Sequence, residues 1–189
     1  IQTRDSIGKY FTKSFVLSVI DKDDVIDIND TAANLVNYSA SDLNAAGTVT
    51  ATTAATAAQA TQLAAFAKAI VYNVTDTSAN LTAAAGSGLN EAVNITATTA
   101  VTVAQRDVIE AATNSGTNTY NITDTAANIA AAGNAKLSTA QTVTAINDAT
   151  IAQAGTIQAF AKAVVYSVSD TAANVVGSTG LNEAVAITA

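Results

Sequence analysis

Hydrophobic and polar positions alternate in short runs along most of this chain, and the runs return at regular intervals. Val71-Tyr72-Asn73-Val74, Thr119-Tyr120-Asn121-Ile122 and Val165-Tyr166-Ser167-Val168 place large apolar residues between polar ones, a period of two that predicts short strands. Each leads into the same five-residue element. Asp30-Thr31-Ala32-Ala33-Asn34 recurs as Asp76-Thr77-Ser78-Ala79-Asn80, Asp124-Thr125-Ala126-Ala127-Asn128 and Asp170-Thr171-Ala172-Ala173-Asn174. Asp-Thr suits a helix start, so one or two helical turns are expected after each strand.

A second kind of half-unit lies between these copies. Val49-Thr50-Ala51-Thr52, Val93-Asn94-Ile95-Thr96 and Val143-Thr144-Ala145-Ile146 read as further strands. They run on into Thr56-Ala57-Ala58-Gln59, Thr102-Val103-Ala104-Gln105 and Thr150-Ile151-Ala152-Gln153. Apolar residues then follow at helical spacing (Leu63 and Phe66; Val108, Ile109 and Ala112; Ile157 and Phe160), predicting a longer, alanine-rich helix of about ten residues.

Self-similarity at this period is the signature of an array. The expected fold is an α/β solenoid: strand–helix units of about 23 residues stack a parallel sheet with helices on one side. Strands near 71–74, 93–96, 119–122, 143–146 and 164–168 should then be parallel neighbours in sequence order. Val74, Ile122 and Val168 should share the interior face.

Residues 1–24 break the pattern. Ile7, Phe11, Phe15 and Val19 fit one helical face, with Lys9 and Lys13 on another, which suggests an amphipathic cap or docking segment on the open end of the array. A membrane-surface helix is the alternative. Residues 25–189 form the repeat domain. It ends in mid-repeat, because Gly180–Ala189 copies Gly88–Ala97 almost residue for residue and then stops.

Composition narrows the function classes. The chain has no His, Cys, Met, Trp or Pro, a net charge of −7, and only 12% charged residues. Without His or Cys, no familiar nucleophile–base pair or thiolate metal site can be assembled, and no phosphate-binding glycine loop is visible. An enzyme is the least expected class, with no catalytic, cofactor or metal residues to nominate. Basic residues are too few and scattered for nucleic acid, and no apolar run is long enough for a membrane span.

Three polar patterns remain to be weighed. The cluster Asp21–Asp30 offers hard oxygen ligands suited to calcium but lacks the glycine of an EF-hand loop. A solvated junction before the first strand is the favoured reading, with calcium the alternative. The repeated Asp30, Asp76, Asp124 and Asp170 read as helix caps, with removal of one costing about 1 kcal/mol. The Asn34, Asn80, Asn128 and Asn174 series should satisfy turn backbone, as a ladder or locally. Thr48/Thr50/Thr52, Thr96/Thr98 and Thr142/Thr144 would line a polar face, either as ordinary strand formers or as an ice- or glycan-binding surface.

At Tyr120–Ala132 and Leu89–Ala100 the sequence resembles the Ala/Thr/Asn-rich repeat arrays of giant bacterial, cyanobacterial-type surface proteins of the haemolysin-type or S-layer-like kind. The resemblance covers roughly residues 25–189. It implies an exported protein of the cell surface or extracellular matrix; the open strand edges of a solenoid add the expectation of a structural repeat protein self-assembling head to tail into a filament, sheath or S-layer-like material. The alternative is a surface binding module, an adhesin stalk or a glycan or ice binder acting through its Thr/Asn face. The calcium-binding Gly-Gly-x-Gly-x-Asp nonapeptide of many such proteins is missing from the sequence.

Overall fold

The computed structural model describes residues 2–4, 10–12, 25–179 and 181–189. It is a mixed α/β structure of short strands and short helices. Two strands open it, β1 (Gln2–Arg4) and β2 (Tyr10–Thr12), paired antiparallel with Gln2 opposite Thr12. This corrects the amphipathic helix expected at Phe11. Thr3, Tyr10, Phe11 and Thr12 favour extended backbone. The rest of that expected helix, Ile7, Phe15 and Val19, lies outside the described residues.

From residue 25 the order is β3 (Ile28–Asp30), α1 (Ala32–Leu35), α2 (Ala40–Ala45), β4 (Val49–Ala51) and α3 (Ala57–Leu63). Next come β5 (Val74–Asp76), α4 (Ser78–Ala83), α5 (Ser87–Asn90), β6 (Ile95–Ala97), α6 (Val103–Glu110) and β7 (Asn118–Thr119). β8 (Ile122–Asp124), α7 (Ala126–Leu137), β9 (Val143–Ala145) and α8 (Ile151–Gln158) follow. The chain closes with β10 (Val168–Ser169), α9 (Ala172–Val176) and β11 (Ile187–Thr188).

All strands from β3 onward pair parallel. Each Asp-bearing strand pairs with the strand that follows it: Ile28 with Val49, Val74 with Ile95, Ile122 with Val143 and Val168 with Ile187. β6 continues into β7, giving one three-stranded group among two-stranded ones. Single parallel bridges link these groups, Thr50 with Val71, Ala55 with Val74, Val101 with Ile122, Thr144 with Val165 and Ala149 with Val168. The expected neighbours pair in the expected order, but as separate short groups joined at single bridges and not as the one continuous parallel sheet expected. The regular strands begin up to four residues later than the sequence runs suggested, because Val71 and Val165 pair only through isolated bridges.

The core is a row of matching positions. Val74, Ile122 and Val168 are buried, as are Val49, Ile95 and Val143, while Tyr72, Tyr120 and Tyr166 sit beside them almost without solvent contact. Leu35, Leu63, Leu81, Leu89, Ile109, Ile129, Leu137 and Ile157 cover them from the helices. The helices of the second half-unit are shorter than expected, seven or eight residues, and Phe66 and Phe160 pack just beyond their ends. α7 holds two helical pieces joined at Gly133, whose φ of 75° only glycine adopts at low cost.

Candidate functional site

The recurrent polar residues meet at the starts of the helices. Thr31, Thr77, Thr125 and Thr171, not the aspartates, are the N-caps. Each hydroxyl accepts the backbone N–H of the Asn three residues on. Thr56, Thr102 and Thr150 do the same in the other half-units. There Gln59, Gln105 and Gln153 return a bond to the N-cap N–H, a full capping box.

Asp76, Asp124 and Asp170 are thus corrected from local caps to joints, while the Asp30 carboxylate bonds, among the described residues, only within its own half-unit. Asp124 Oδ1 accepts the Thr125 N–H at 2.7 Å and the Asn128 side-chain amide at 2.8 Å. Its Oδ2 accepts the Val103 N–H at 2.9 Å, from the helix start 21 residues earlier. Asp76 receives Ala57 and Asp170 receives Ile151 in the same way, both at 3.0 Å. The intervening helices are completed likewise from the following half-unit. Ala32 donates to Thr53, Ser78 to Thr99 and Ala126 to Asn147. From α1 to α8 the first N–H of each half-unit's leading helix is thereby satisfied by a side chain 19 to 21 residues later. These are donors that a helix cannot satisfy itself.

This bonding sets the charge state. Burial pushes the Asp124 carboxyl upward, but the Asn128, Val103 and Thr125 donors outweigh it and hold it below the usual carboxylate range. Asp76 is lowered against the same opposition. Asp30 is lowered by Asn34 and Thr31, and Asp170 by the Ile151 N–H first. These carboxylates are held as anions, each accepting three hydrogen bonds within the fold. The Asn series bonds locally, Asn34, Asn80, Asn128 and Asn174 each donating to the Asp four residues back.

A different set of side chains forms the cross-strand ladder. Asn73 Oδ1 accepts from both the backbone and the side chain of Asn94, and Asn94 Oδ1 accepts the Thr117 N–H. Asp27 accepts Thr48 and Asn121 accepts Thr142 in the same manner. Threonines come into register as Thr75–Thr96–Thr119 and Thr123–Thr144. These are half-buried, whereas Thr48, Thr52, Thr98 and Thr142 are exposed.

One repeat carries chemistry that the others lack. Arg106 and Asp107 stand where the neighbouring helices have Ala60-Thr61 and Ala154-Gly155. The Arg106 guanidinium donates to Asp107 at 3.1 Å, and the Lys136 ammonium bridges to the same carboxylate from α7. Lys136 holds the Asp107 carboxyl low against the opposing effect of burial, with help from Arg106. Behind them the Tyr120 hydroxyl lies 2.7 Å from Glu110 and 2.6 Å from Thr139, and burial raises its ionisation first of all. Tyr72, in the same position one repeat earlier, instead donates to the Gly88 carbonyl, and burial with the Glu91 charge pushes it up to about 12. The sequence signal for this cluster was the departure of Arg106, Asp107 and Glu110 from the alanine-rich pattern.

Shallow grooves run between successive helices. One of about 440 Å³ has Val103, Ala104, Asp124, Asn128 and Lys136 on its walls. Its counterpart one repeat earlier, about 280 Å³, has Ala57, Ala58, Asp76 and Asn80. Both are floored by the bonded aspartates. Among the described residues no group of three or more His, Cys, Asp or Glu is placed to hold a metal ion. Asp27 and Asp30 of the acidic cluster already accept Thr48, and Thr31, Asn34 and Tyr38. Asp21, Asp23 and Asp24 lie outside the described residues. No helix among the described residues is long and apolar enough to cross a membrane. Compared with protein-family models, with curated proteins and with solved structures, the chain matches none of them.

Proposed function

We propose that this chain is a structural repeat protein, an α/β solenoid of strand–helix turns that serves as self-associating material at a bacterial surface or in an extracellular matrix. The observation that carries this reading is the series of helix-start bonds from one turn to the next. Among the strictly recurring residues, Asp76, Asp124 and Asp170 each turn one carboxylate oxygen to a helix start 19 to 21 residues earlier, and Thr53, Thr99 and Asn147 do the same for the starts of α1, α4 and α7. Parallel pairing in sequence order supports the same reading, since each turn then contacts mainly its neighbours. The surface location rests on the resemblance to cyanobacterial-type arrays, and a low charge density leaves little repulsion against association.

Deleting one whole repeat tests the architecture. Removal of residues 74–121 joins Asn73 to Ile122, reproducing the natural Asn121–Ile122 step. A solenoid keeps its circular dichroism and a cooperative melt, because the turns on either side restack. A molecule with one closed core unfolds, and that result refutes the reading. Immunogold electron microscopy of the source cells tests the location, and label confined to the cytoplasm counts against it.

The alternative, a glycan- or ice-binding face, draws on the row Thr75–Thr96–Thr119. That row is only three residues long and half-buried, and the next group is a pair. Continuous hydroxyl surface is therefore small, and the structural reading is favoured.

A further inference from the structure

We propose, resting on the array reading above, that the polar side chains of α6 set which repeat it stacks on. They admit the half-unit that carries Lys136 and Thr139 and reject the otherwise matching half-units that carry Glu91 and Glu183.

Close repetition is what calls for such a selector. Leu89-Asn90-Glu91-Ala92, Leu137-Ser138-Thr139-Ala140 and Leu181-Asn182-Glu183-Ala184 hold the same place in successive repeats. Leu89, Leu137, Ala92 and Ala140 are all buried, and Leu181 and Ala184 pack against the same core. Apolar packing alone therefore offers three nearly interchangeable partners. Loop-closure entropy grows only slowly with loop length. A helix could then stack with one repeat looped out, or exchange with a second copy, and keep most of its buried surface.

α6 breaks that equivalence. Counted from the capping threonines, Arg106 stands where α3 and α8 have Ala60 and Ala154, and Asp107 where they have Thr61 and Gly155. Glu110 stands in the place of Ala64 and Gln158. It fixes the direction of a hydrogen-bond chain. The Tyr120 hydroxyl has one proton and gives it to Glu110 at 2.7 Å, so the 2.6 Å bond with Thr139 is donated by the Thr139 hydroxyl. A glutamate at that place has no proton to give. It would set a second carboxylate against the Tyr120 oxygen and Glu110.

Asp107 adds a second criterion. Lys136 reaches its carboxylate from α7, beside the Arg106 guanidinium. The residues in the place of Lys136 are Gly88 and Gly180, which bring no cation. The earlier repeat shows the opposite matching. Tyr72 gives its proton to the Gly88 carbonyl, and α3, with no acidic residue, sets no carboxylate against Glu91.

Selection has an interior cost. Arg106 Nε and Asn118 Oδ1 are buried with no hydrogen-bond partner among the described residues. The other repeats have Ala60 and Ala154, Ile70 and Val164 at those places. An apolar α6 would avoid the cost and lose the discrimination.

Two measurements test the selector, both reading the folding equilibrium constant from urea unfolding. In the full chain Thr139→Glu should lower it at least tenfold, but less than twofold when Glu110→Ala is also present. Equal losses in the two backgrounds overturn the proposal. Deletion of residues 122–167 joins Asn121 to Val168 and sets α6 against the half-unit of Glu183, whereas deletion of residues 74–121 sets α3 against that of Thr139. The first deletion should be at least tenfold less stable than the second. Glu183→Thr should recover the loss, while changing the intact chain less than twofold. Equal stability of the two deletions, or no recovery with Glu183→Thr, overturns the selector and leaves the array standing. Unfolding of the 74–121 deletion overturns the array and the selector with it.

Discussion

Replacing Asp124 with alanine removes the one carboxylate in the repeat series that is nearly sealed from water, at 6% exposure. Three donors lose their acceptor at once: the Thr125 N–H, the Asn128 amide and the Val103 N–H. A bond to a charged group contributes about 1.5–3 kcal/mol, and a buried donor left alone costs about 1–3 kcal/mol. Water can reach Asn128, which is exposed, but the Val103 N–H sits between two turns. The net cost works out at about 3 kcal/mol, well above the 1 kcal/mol of a simple helix cap. Asp124→Asn keeps one oxygen for Thr125 and Asn128 but turns an amide toward Val103, so it should cost about 1.5 kcal/mol. Urea unfolding measures both, and amide hydrogen exchange at Val103 locates the effect, which should be faster exchange there than at Ala57. A loss near 1 kcal/mol for Asp124→Ala, with Val103 exchange unchanged, would show that the aspartate acts only on its own helix.

Further outcomes follow from neighbouring features. Acid should destabilise the protein through its depressed carboxylates. With folded values below the ordinary 3.8, the contribution of Asp76 and Asp124 is complete above that pH and is lost as the pH falls through the folded values. With no histidine in the chain, melting temperature should therefore be flat between pH 5 and 8 and fall below about 4. Gly88→Ala should cost about 2 kcal/mol in urea unfolding, because its Cβ would meet the Thr61 nitrogen at 2.6 Å and the Ala60 carbonyl carbon at 2.9 Å, both backbone. Tyr72→Phe should cost about 1 kcal/mol by losing its bond to the Gly88 carbonyl. Tyr166→Phe, whose buried hydroxyl has no hydrogen-bond partner among the described residues, should be neutral or stabilising by the same measurement. Lys136→Ala should change stability by less than about 1 kcal/mol, since its pair with Asp107 is exposed.

Much of the framework was readable because it is local. Alternation at Val71–Val74 and Val165–Val168, repeated before each Asp-Thr element, led to parallel neighbours and to the buried row Val74, Ile122 and Val168. The capping boxes were equally open to reading, in the Thr-x-x-Gln runs at Thr56, Thr102 and Thr150. What spacing could not disclose was the second oxygen of each aspartate. Asp-Thr-x-x-Asn fits a local turn perfectly well, and only the stacking brings Ala57, Val103 and Ile151 to Asp76, Asp124 and Asp170. The antiparallel pairing of Gln2–Arg4 with Tyr10–Thr12 was missed for a different reason. The helical spacing of Ile7, Phe11 and Phe15 competed with the β preference of Tyr10, Phe11 and Thr12, and at Phe11 the strand won. The Arg106–Asp107–Lys136 cluster joins residues 29 positions apart, beyond any local window.

The forward direction of the helix-start bonds also orders events in time. Ala57 waits for Asp76, Ser78 for Thr99 and Val103 for Asp124, so none of these helix starts is completed by its own half-unit. A ribosome delivers the chain from the N-terminus, and each newly emerged turn closes the one made about 20 residues before it. Growth therefore always has one unfinished turn, the most recent, and that turn holds the donors still awaiting acceptors. A chain threaded across a membrane N-terminus first would assemble in the same order, each arriving turn locking its predecessor on the far side.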